Sequence, residues 1–331
     1  MTSGTRYTVR PFRPGDEEGL LELHARAFVG HPPRSRQLWD WKFRDNPVGR
    51  TEIALAMDPA GRMVAMYSAI PQRMILDGRD CRGRVAGDQA VDPALRGGLG
   101  GSHLILELHR CFREHYQDGG EHLEWGFPDP GVQRVMTKHL QVHVLRDVVL
   151  LVRELDPPVE ATPGVQVRAA PRFGPETDAL WRAGRAEIDT AVIRDRRYLN
   201  WRYAEHPDVP HVLLEARSEG SDTLRGLAVL REGGPDPRVV ALMDWLVTPG
   251  DAAAERALVS RALEETRRRG KNYLVCWFPV PSPQFFRFQR EHGFFARSSP
   301  FQEAYRTGRP APTRRWLDEH WYQTLGDFDF F

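Results

Sequence analysis

The sequence predicts an α/β (α+β layered) fold in which two similar domains follow one another. Length is the first indication, because 331 residues exceed what one ordinary hydrophobic core organises. An internal repeat is the second, since LWDWKFRDNP, from Leu38, matches YLNWRYAEHP, from Tyr198. The third is the alternation of strand-like and helix-like segments in each copy, which is typical of sheets layered with helices.

Four further matches in the same order support a duplication. They pair the segments that begin at Tyr7 and Val165, at Val91 and Val247, at Leu123 and Leu274, and at Lys138 and Glu291. The offset between the copies falls from 160 residues (38 to 198) to 151 residues (123 to 274), as small loop deletions would produce. Five matches in one order indicate a tandem duplication.

The elements of each copy are predicted from hydrophobic periodicity and turn signals such as DPAG, which begins at Asp58. The first copy is predicted to contain strand 8–10, helix 16–28, strands 52–57, 63–70 and 83–91, a helix at about 99–116, strand 122–127, another helix, and a pair of strands around 142–154. The second is predicted to contain strands 211–215, 224–231 and 239–247, helix 251–269 and strand 272–277.

These patterns divide the chain into four parts. Residues 1–156 form the first domain and 165–308 the second, and PPVEATPG, residues 157–164, is a proline-rich linker. The remaining residues, 309–331, form an aromatic and acidic tail that is expected to dock on the body or on a partner.

The amino-acid composition excludes several classes of function. A hydrophobic content of 41% with 27% charged residues is that of a globular protein, and a net charge of +1 gives no basis for nucleic-acid binding. The three cysteines are scattered without disulfide or metal spacing, which favours a reducing compartment. Without an apolar segment of membrane-spanning length or a secretory leader, the sequence predicts a cytoplasmic protein with no membrane partner and no metal.

The first copy resembles the GCN5-related N-acetyltransferase (GNAT) family. The features that carry the resemblance are a long strand ending in VDP at Val91, the arginine- and glycine-rich loop RGGLGG, and the strand–helix–strand that follows the loop. The second copy resembles it too, so that about 300 residues are covered. The resemblance implies two tandem GNAT-like domains, each a mixed, mostly antiparallel sheet flanked by helices. It also implies transfer of an acyl group from acetyl-CoA, or another acyl-CoA, to a primary amine of a small molecule or peptide.

In that family the glycine-rich loop wraps the pyrophosphate of the coenzyme. Glycine lets backbone N–H groups approach an anion, the following helix N-terminus favours negative charge, and an arginine suits a phosphate. Leu99 stands where the motif has glycine. Carried onto this sequence, the coenzyme-binding residues are Arg96, Gly97, Gly98, Gly100, Gly101 and Ser102, with Ala90 and Val91 beside the thioester carbonyl.

The corresponding segment of the second copy, VTPGDAAAERAL, has one glycine and no arginine at the matching place. Asp251 there is a good helix N-cap and a poor neighbour for a phosphate. The second copy is therefore predicted to have lost coenzyme binding and to form a wall of the substrate cleft or a dimer face. Whether the chain is a monomer or a homodimer stays open.

The resemblance places the catalytic base on the strand before the loop or on the next strand, where Asp88 and Glu124 are the candidates. Both have a structural alternative, in which Asp88 bonds neighbouring backbone and Glu124 faces solvent. The family's tyrosine acid has no counterpart, and His139 is the nearest titratable substitute.

Aromatic residues at close spacing, Trp41, Phe43 and Trp201, are candidates for substrate binding, although such clusters are more often core. Two other functions remain open. One is a FemAB-like transferase that uses aminoacyl-tRNA. The other is a catalytically degenerate GNAT-fold binding or scaffold protein.

Overall fold

The structure is a computed structural model that describes residues 7–96, 98–116, 122–159, 162–234, 236–308 and 312–328. The elements of the first copy are β1 (Thr8–Pro11), α1 (Glu17–Ala27), α2 (Arg36–Trp39), β2 (Glu52–Met57), β3 (Met63–Leu76), β4 (Arg79–Val91), α3 (Gly98–Tyr116), β5 (His122–Gly126), α4 (Pro130–His139) and β6 (His143–Glu154).

The second copy repeats this order. Its elements are β7 (Val165–Ala170), α5 (Glu176–Arg185), β8 (Ala191–Val192), α6 (Arg196–Leu199), β9 (His211–Ser218), β10 (Leu224–Glu232), β11 (Val239–Val247), α7 (Ala252–Arg268), β12 (Tyr273–Cys276), α8 (Pro283–His292) and β13 (Phe295–Thr307), followed by α9 (Arg314–His320). Strands β1–β6 correspond to β7 and β9–β13. None of the helices in the described residues is long and apolar enough to span a membrane.

Two predicted elements of the first copy differ from the observed ones. Strand β3 continues to Leu76 rather than ending at residue 70, because Pro71 lies just past the last pairing with β2, Glu52 with Ala69, and a proline is tolerated at such an edge. Residues 142–154 contain one strand, β6, rather than a pair, since the strands beside it come from the second copy.

The two copies exchange their last strands within one continuous, mostly antiparallel mixed sheet. Its strand order is β1-β2-β3-β4-β5-β13-β6-β12-β11-β10-β9-β7, and β8 adds to β3. Strand β13 pairs with β5 of the first copy, β6 pairs with β12 of the second, and β6 and β13 pair with each other. Each half of the sheet is thus completed by the other copy. The boundaries at 156 and 165 describe the sequence repeat, whereas the sheet joins the copies across them.

The repeated tryptophans meet at the pseudo-two-fold axis between the copies. Trp41 and Trp201 stack with ring centroids 4.9 Å apart and planes at 16°. Each indole Nε1–H donates to the backbone oxygen of the other residue, at 2.7 Å from Trp41 and 2.9 Å from Trp201. Both residues lie on a π-helical turn, 40–44 or 200–204, that follows α2 or α6. The repeat in the sequence is therefore also a contact in the structure.

The C-terminal tail docks on the body of the protein. After α9, residues 321–328 are all buried, and Thr190 forms an isolated parallel bridge with Trp321. Trp125 on β5 donates its Nε1–H to the backbone oxygen of Asp327 at 3.2 Å. The end of the chain is consequently part of the core that joins the two copies.

We predict that Trp41→Phe and Trp201→Phe each lower the free energy of unfolding by about 1–3 kcal/mol, because each leaves one buried carbonyl without its donor. The two effects should not be additive, because both hydrogen bonds join the same two residues. Urea denaturation of both single variants and the double variant measures this. Trp316→Phe is the control, because Trp316 stacks on His320 away from the axis. Equal, small effects of all three substitutions would contradict the role of the pair.

Candidate functional site

A large cavity opens where β4 and β5 diverge. The two strands pair in parallel from Arg82 with His122 to Val85 with Trp125, and no further. Beyond this point lies a cavity of about 1110 Å³. The first copy lines it with residues of α1, β3, β4, β5 and α3, and the second copy adds residues such as His206 and Arg231. The cavity is therefore built at the junction of the two copies.

A bulge in β4 shapes the floor of the cavity. Strand β3 pairs Met66 with Ala90 and then Ser68 with Gly87, so that residues 88 and 89 are additional in β4. Asp88 accommodates the bulge with φ of 52°, in the left-handed region that residues other than glycine seldom adopt. Past Val85, the edge of β4 that faces β5 has no strand partner in the described residues. Val91 O on this edge accepts from Arg96 Nε at 3.0 Å, and the place of Ala90 and Val91 beside a thioester carbonyl stays a prediction.

The predicted phosphate loop lies at one end of this cavity. Gly97 is outside the described residues, and Gly98, Gly100, Gly101 and Ser102 lie in the first turn of α3. N–H groups of a first turn have no partner within the helix, which suits them to an anion. Arg96 lines the cavity, but its Nε donates to Val91 O at 3.0 Å and its Nη2 donates to Ala27 O. Arg96 thus also ties the loop to the end of α1.

Asp88, a predicted base, is held in a buried ion-pair cluster. Its carboxylate accepts from Arg34 Nη1 at 2.6 Å and lies 2.8 Å from Lys42 Nζ. Burial alone would raise the pKa of Asp88, but the charges of Lys42 and Arg34 outweigh it, and the pKa is lowered. A carboxylate in this setting stays ionised and accepts a proton poorly.

Glu124, the other predicted base, is buried rather than facing solvent. Tyr67 donates its hydroxyl to Glu124 Oε1 at 2.7 Å, and Arg306 Nη2 donates to Oε2 at 2.9 Å. Burial would raise the pKa of Glu124, yet Arg306 above all lowers it, to about 2. Both carboxylates line the cavity, and both are weak bases as they stand.

The cavity includes only some of the other predicted site residues. Trp41 lines it, whereas Trp201 and Phe43 do not, and Phe43 packs against Trp39 in the core with 2% of its surface exposed. His139 is an exposed residue at the end of α4 and does not line the cavity. Phe43 faces the core, Trp201 lines a separate cavity of about 430 Å³, and His139 faces solvent. The assignments of these residues to substrate binding and acid catalysis therefore stay predictions.

Sequence reasoning missed the cationic wall of the cavity. The missed residues are Arg34, Lys42, Arg202 and Arg231, which carry the charge, together with the histidines His24 and His206. A signal was present, because Arg34 and Lys42 align with Arg194 and Arg202 at the offset of 160 residues. The pattern of the repeat identifies these positions, but it does not tell which copy keeps an open cavity.

The second copy contains the same ion pair without the cavity. Asp244 aligns with Asp88 at an offset of 156 residues, and its Oδ1 accepts from Arg194 Nε at 2.8 Å. Tyr203 donates its hydroxyl to Asp244 Oδ2 at 2.8 Å. Because this aspartate–arginine pair is also present in the second copy, where the described part of the tail packs against it, we assign it a structural role in both copies.

The C-terminal tail fills the space in the second copy that the cavity occupies in the first. Asp327 Oδ2 accepts from Arg194 Nη2 at 2.6 Å. Arg202 donates to the backbone oxygens of Gly326, at 3.2 Å, and Phe328, at 2.7 Å. Tyr322 donates to Trp245 O on β11, beside the divergence of β11 from β12. The tail therefore closes the second copy.

The start of α7, which corresponds to the start of α3, is occupied by an acidic side chain. Asp251 caps the helix by accepting from Ala254 N at 3.0 Å, and it pairs with Arg225 Nη2 at 2.6 Å. The capping carboxylate matches the sequence prediction for this residue and leaves a negative charge where a phosphate would bind.

Only one group of three potential metal ligands occurs within the described residues, and it lies away from the cavity. Ligand atoms of Glu255, Glu291 and His292 lie within 4.8 Å of one another. Arg287 Nη1 already donates to Glu255 Oε1 at 2.6 Å. The guanidinium cation of Arg287 thus already lies beside the buried carboxylate of Glu255.

Comparisons with known proteins agree with this geometry. Residues 8–134 match the model of the acetyltransferase (GNAT) domain. The first copy is a GNAT acetyltransferase domain. The match includes the bulged β4, the loop before α3 and part of α4. No curated protein matches the sequence.

Solved structures extend the likeness to the whole chain. A GCN5-related N-acetyltransferase from Anabaena variabilis is 12% identical with a TM-score of 0.67, over 91% of this chain and 72% of that chain. A tandem GNAT protein from the clavulanic acid biosynthesis pathway is 14% identical with a TM-score of 0.58, over 92% of this chain and 100% of that chain. N-myristoyltransferase from Saccharomyces cerevisiae with bound myristoyl-CoA and inhibitors is 11% identical with a TM-score of 0.58, over 93% and 81%. At these identities the likeness shows the fold, which is that of a tandem GNAT protein.

Four histidines, of which His24 and His109 are buried and His206 and His211 are half-buried, should make the protein sensitive to acid. Burial lowers the pKa of His24 and His109 to about 4 and that of His206 and His211 to about 3, from an ordinary value of 6.5. Below pH 6.5 the unfolded chain takes up protons that the folded chain does not. The stability contributed by the neutral rings is therefore present above pH 6.5 and lost as the pH falls towards 4.

We predict that urea midpoints fall steadily between pH 6.5 and 4.5 and that His211→Phe reduces this slope. His139→Gln is the control, because His139 is exposed and its replacement should leave the slope unchanged. A midpoint independent of pH over this range would contradict the assignment of neutral buried rings.

Proposed function

We propose that the first GNAT domain binds an acyl-CoA, most simply acetyl-CoA, and transfers its acyl group to a primary amine of a small molecule or peptide. The observation that carries the proposal is the cavity at the β4–β5 divergence, with the free edge of the bulged β4 on its floor and the N-terminus of α3 at one end. In this arrangement the N-terminal turn of α3 holds the pyrophosphate. The free edge of β4 near Ala90 and Val91 hydrogen-bonds the thioester carbonyl.

The amine approaches from the opposite side of the cavity, beside Trp41 and the cationic wall. Acyl transfer requires a neutral amine, a polarised carbonyl and a stabilised leaving thiolate. Because Arg34 and Lys42 surround Asp88, the cavity lowers the pKa of a bound amine and favours its neutral form. The proton then leaves through water, and Asp88 acts by positioning these two cations rather than by accepting the proton itself.

The second copy takes no part in coenzyme binding in this proposal. Its cleft is filled by residues 321–328, and Asp251 occupies the start of α7. The second copy instead supplies part of the cavity wall and, through β13, completes the sheet of the first.

The stoichiometry of coenzyme binding tests the proposal. Calorimetric titration with acetyl-CoA and with a longer acyl-CoA is expected to give one site per chain. Arg96→Ala should weaken binding about 10-fold, because it removes a charge at the start of α3 and releases the loop from Ala27. Asp251→Asn, which keeps a good N-cap in the second copy, should leave the affinity unchanged. Two sites would show that the second copy binds coenzyme as well. No binding would exclude the proposed donor and leave the tRNA-dependent and scaffold functions.

The role of Asp88 is tested against its counterpart in the other copy. Asp88→Asn should lower the free energy of unfolding by about 3–5 kcal/mol, because it removes the carboxylate that Arg34 and Lys42 share. Asp244→Asn should lower it less, because Arg194 keeps its pair with Asp327. At a temperature where both variants are folded, Asp88→Asn should reduce kcat less than about 100-fold and keep the pH dependence of kcat/KM, as expected when no general base is lost. A larger decrease with a flattened pH profile would show that Asp88 is the base.

A further inference from the structure

The cavity wall contributed by the second copy contains an arginine without an acidic partner. Arg231, on β10, lines the cavity. Its Nε is buried without a hydrogen-bond partner, and within the described residues its guanidinium forms no ion pair. Of the other lining arginines, Arg34 pairs with Asp88. Arg96 and Arg202 donate to backbone oxygens. A guanidinium with a buried nitrogen is stabilised by an anion, and the described residues supply none to Arg231.

A second donor lies on the same wall. His206 Nδ1 accepts from the backbone N–H groups of Asp208, at 3.3 Å, and Val209, at 3.2 Å. The neutral ring therefore carries its hydrogen on Nε2. Its centroid lies 4.3 Å from the ring centroid of Trp41. Asp208 also lines the cavity, but its side chain is exposed and forms no ion pair with Arg231 within the described part of the chain. A guanidinium beside an imidazole N–H is an arrangement that binds a carboxylate.

The closed second copy provides an independent indication of what this kind of cleft holds. There the tail presents the carboxylate of Asp327 to Arg194 at 2.6 Å. Arg194 aligns with Arg34, which lines the open cavity of the first copy. In the second copy, where the tail fills the cleft, a carboxylate thus lies next to an arginine. In the open cavity of the first copy, the unpaired Arg231 lies in the lining.

We propose that the acceptor is an amine that also carries a carboxylate, and that Arg231 binds this carboxylate. The inference rests on the proposed acyl transfer, because it places the acceptor in the same cavity. The charge agrees, since an amino carboxylate with a neutral amine has one negative charge, and Arg231 has neither an acidic partner nor a backbone acceptor within the described residues. With its carboxylate on the wall of the second copy, the acceptor extends its amine towards the free edge of β4.

Matched pairs of small amines test the inference. The probes are the common amino acids and their carboxamides, which differ only in the negative charge, together with O-phosphoethanolamine and ethanolamine. Binding is measured by calorimetry without coenzyme, and transfer by release of free thiol from acetyl-CoA. The variants are Arg231→Gln and, as control, Arg238→Gln. Arg238 is an exposed arginine of the second copy that pairs with Asp236 outside the cavity.

We expect at least one amino acid to bind more tightly than its carboxamide. Arg231→Gln should reduce the ratio of kcat/KM for acid over amide by about 10- to 100-fold, as loss of a charged hydrogen bond implies, and Arg238→Gln should leave the ratio unchanged. A ratio near one in the wild type, or an undiminished ratio in Arg231→Gln, would overturn the inference while leaving acyl transfer intact. Preference for O-phosphoethanolamine over every amino acid would contradict the inference that the anionic group of the acceptor is a carboxylate.

The binding measurement separates the two proposals. If acetyl-CoA does not bind but an amino acid binds and loses affinity in Arg231→Gln, the anion site stands and acyl transfer fails. If no amino acid binds the wild type with or without coenzyme, the carboxylate site is excluded whatever the coenzyme does.

Discussion

The reciprocal contact of Trp41 and Trp201 fixes the relation between the two copies, and the cavity depends on that relation. Each indole both stacks on the other and donates to the backbone of the other, so that neither copy can rotate without losing two buried hydrogen bonds. The cavity lies beside this axis and is lined by both copies, with Trp41 as the common boundary. Strand exchange adds a second constraint, because β13 of the second copy brings Arg306 to Glu124 in the wall of the first. The first copy alone would lack both this ion pair and the part of the cationic wall that Arg202 and Arg231 supply.

The duplication also supplies an internal comparison that separates structural from functional features. The pairs of Asp88 with Arg34 and of Asp244 with Arg194 have the same place in the two copies. Within the described residues the large cavity lies at the pair of the first copy and the tail lies at the pair of the second, so the pair itself does not mark a ligand site. What differs between the copies is the start of α3 or α7, the tail, and the unpaired Arg231. These differences, rather than the shared residues, indicate where ligands bind.

Sequence alone predicted the duplication, most elements and the loop before α3, because these depend on local patterns that the copies share. It could not predict strand exchange, since β6 and β13 have the same pattern whether they pair within a copy or across the copies. It also could not select among Trp41, Phe43 and Trp201, because an aromatic cluster does not tell which ring faces a cavity. The tail was left open between the body and a partner, since its contacts with Arg194 and Arg202 span more than 120 residues of chain. The identity of the catalytic base remained undecided for a similar reason. The neighbours that lower the pKa of Asp88 and Glu124 come from distant segments of the sequence.

Closure of the second copy and the shape of the first cavity follow from the same segment. Residues 321–328 fill the second copy by satisfying Arg194 and Arg202. At its end, Phe328 stacks on Phe127 with ring centroids 3.5 Å apart, and Phe127 lines the cavity of the first copy. Arg202, held by the tail, lines the same cavity. A tail that left the second copy would therefore remove support from two parts of the wall of the first. The filling of the second cleft and the support of the first cavity are thus two results of one packing arrangement, through which the second copy shapes the wall of the first.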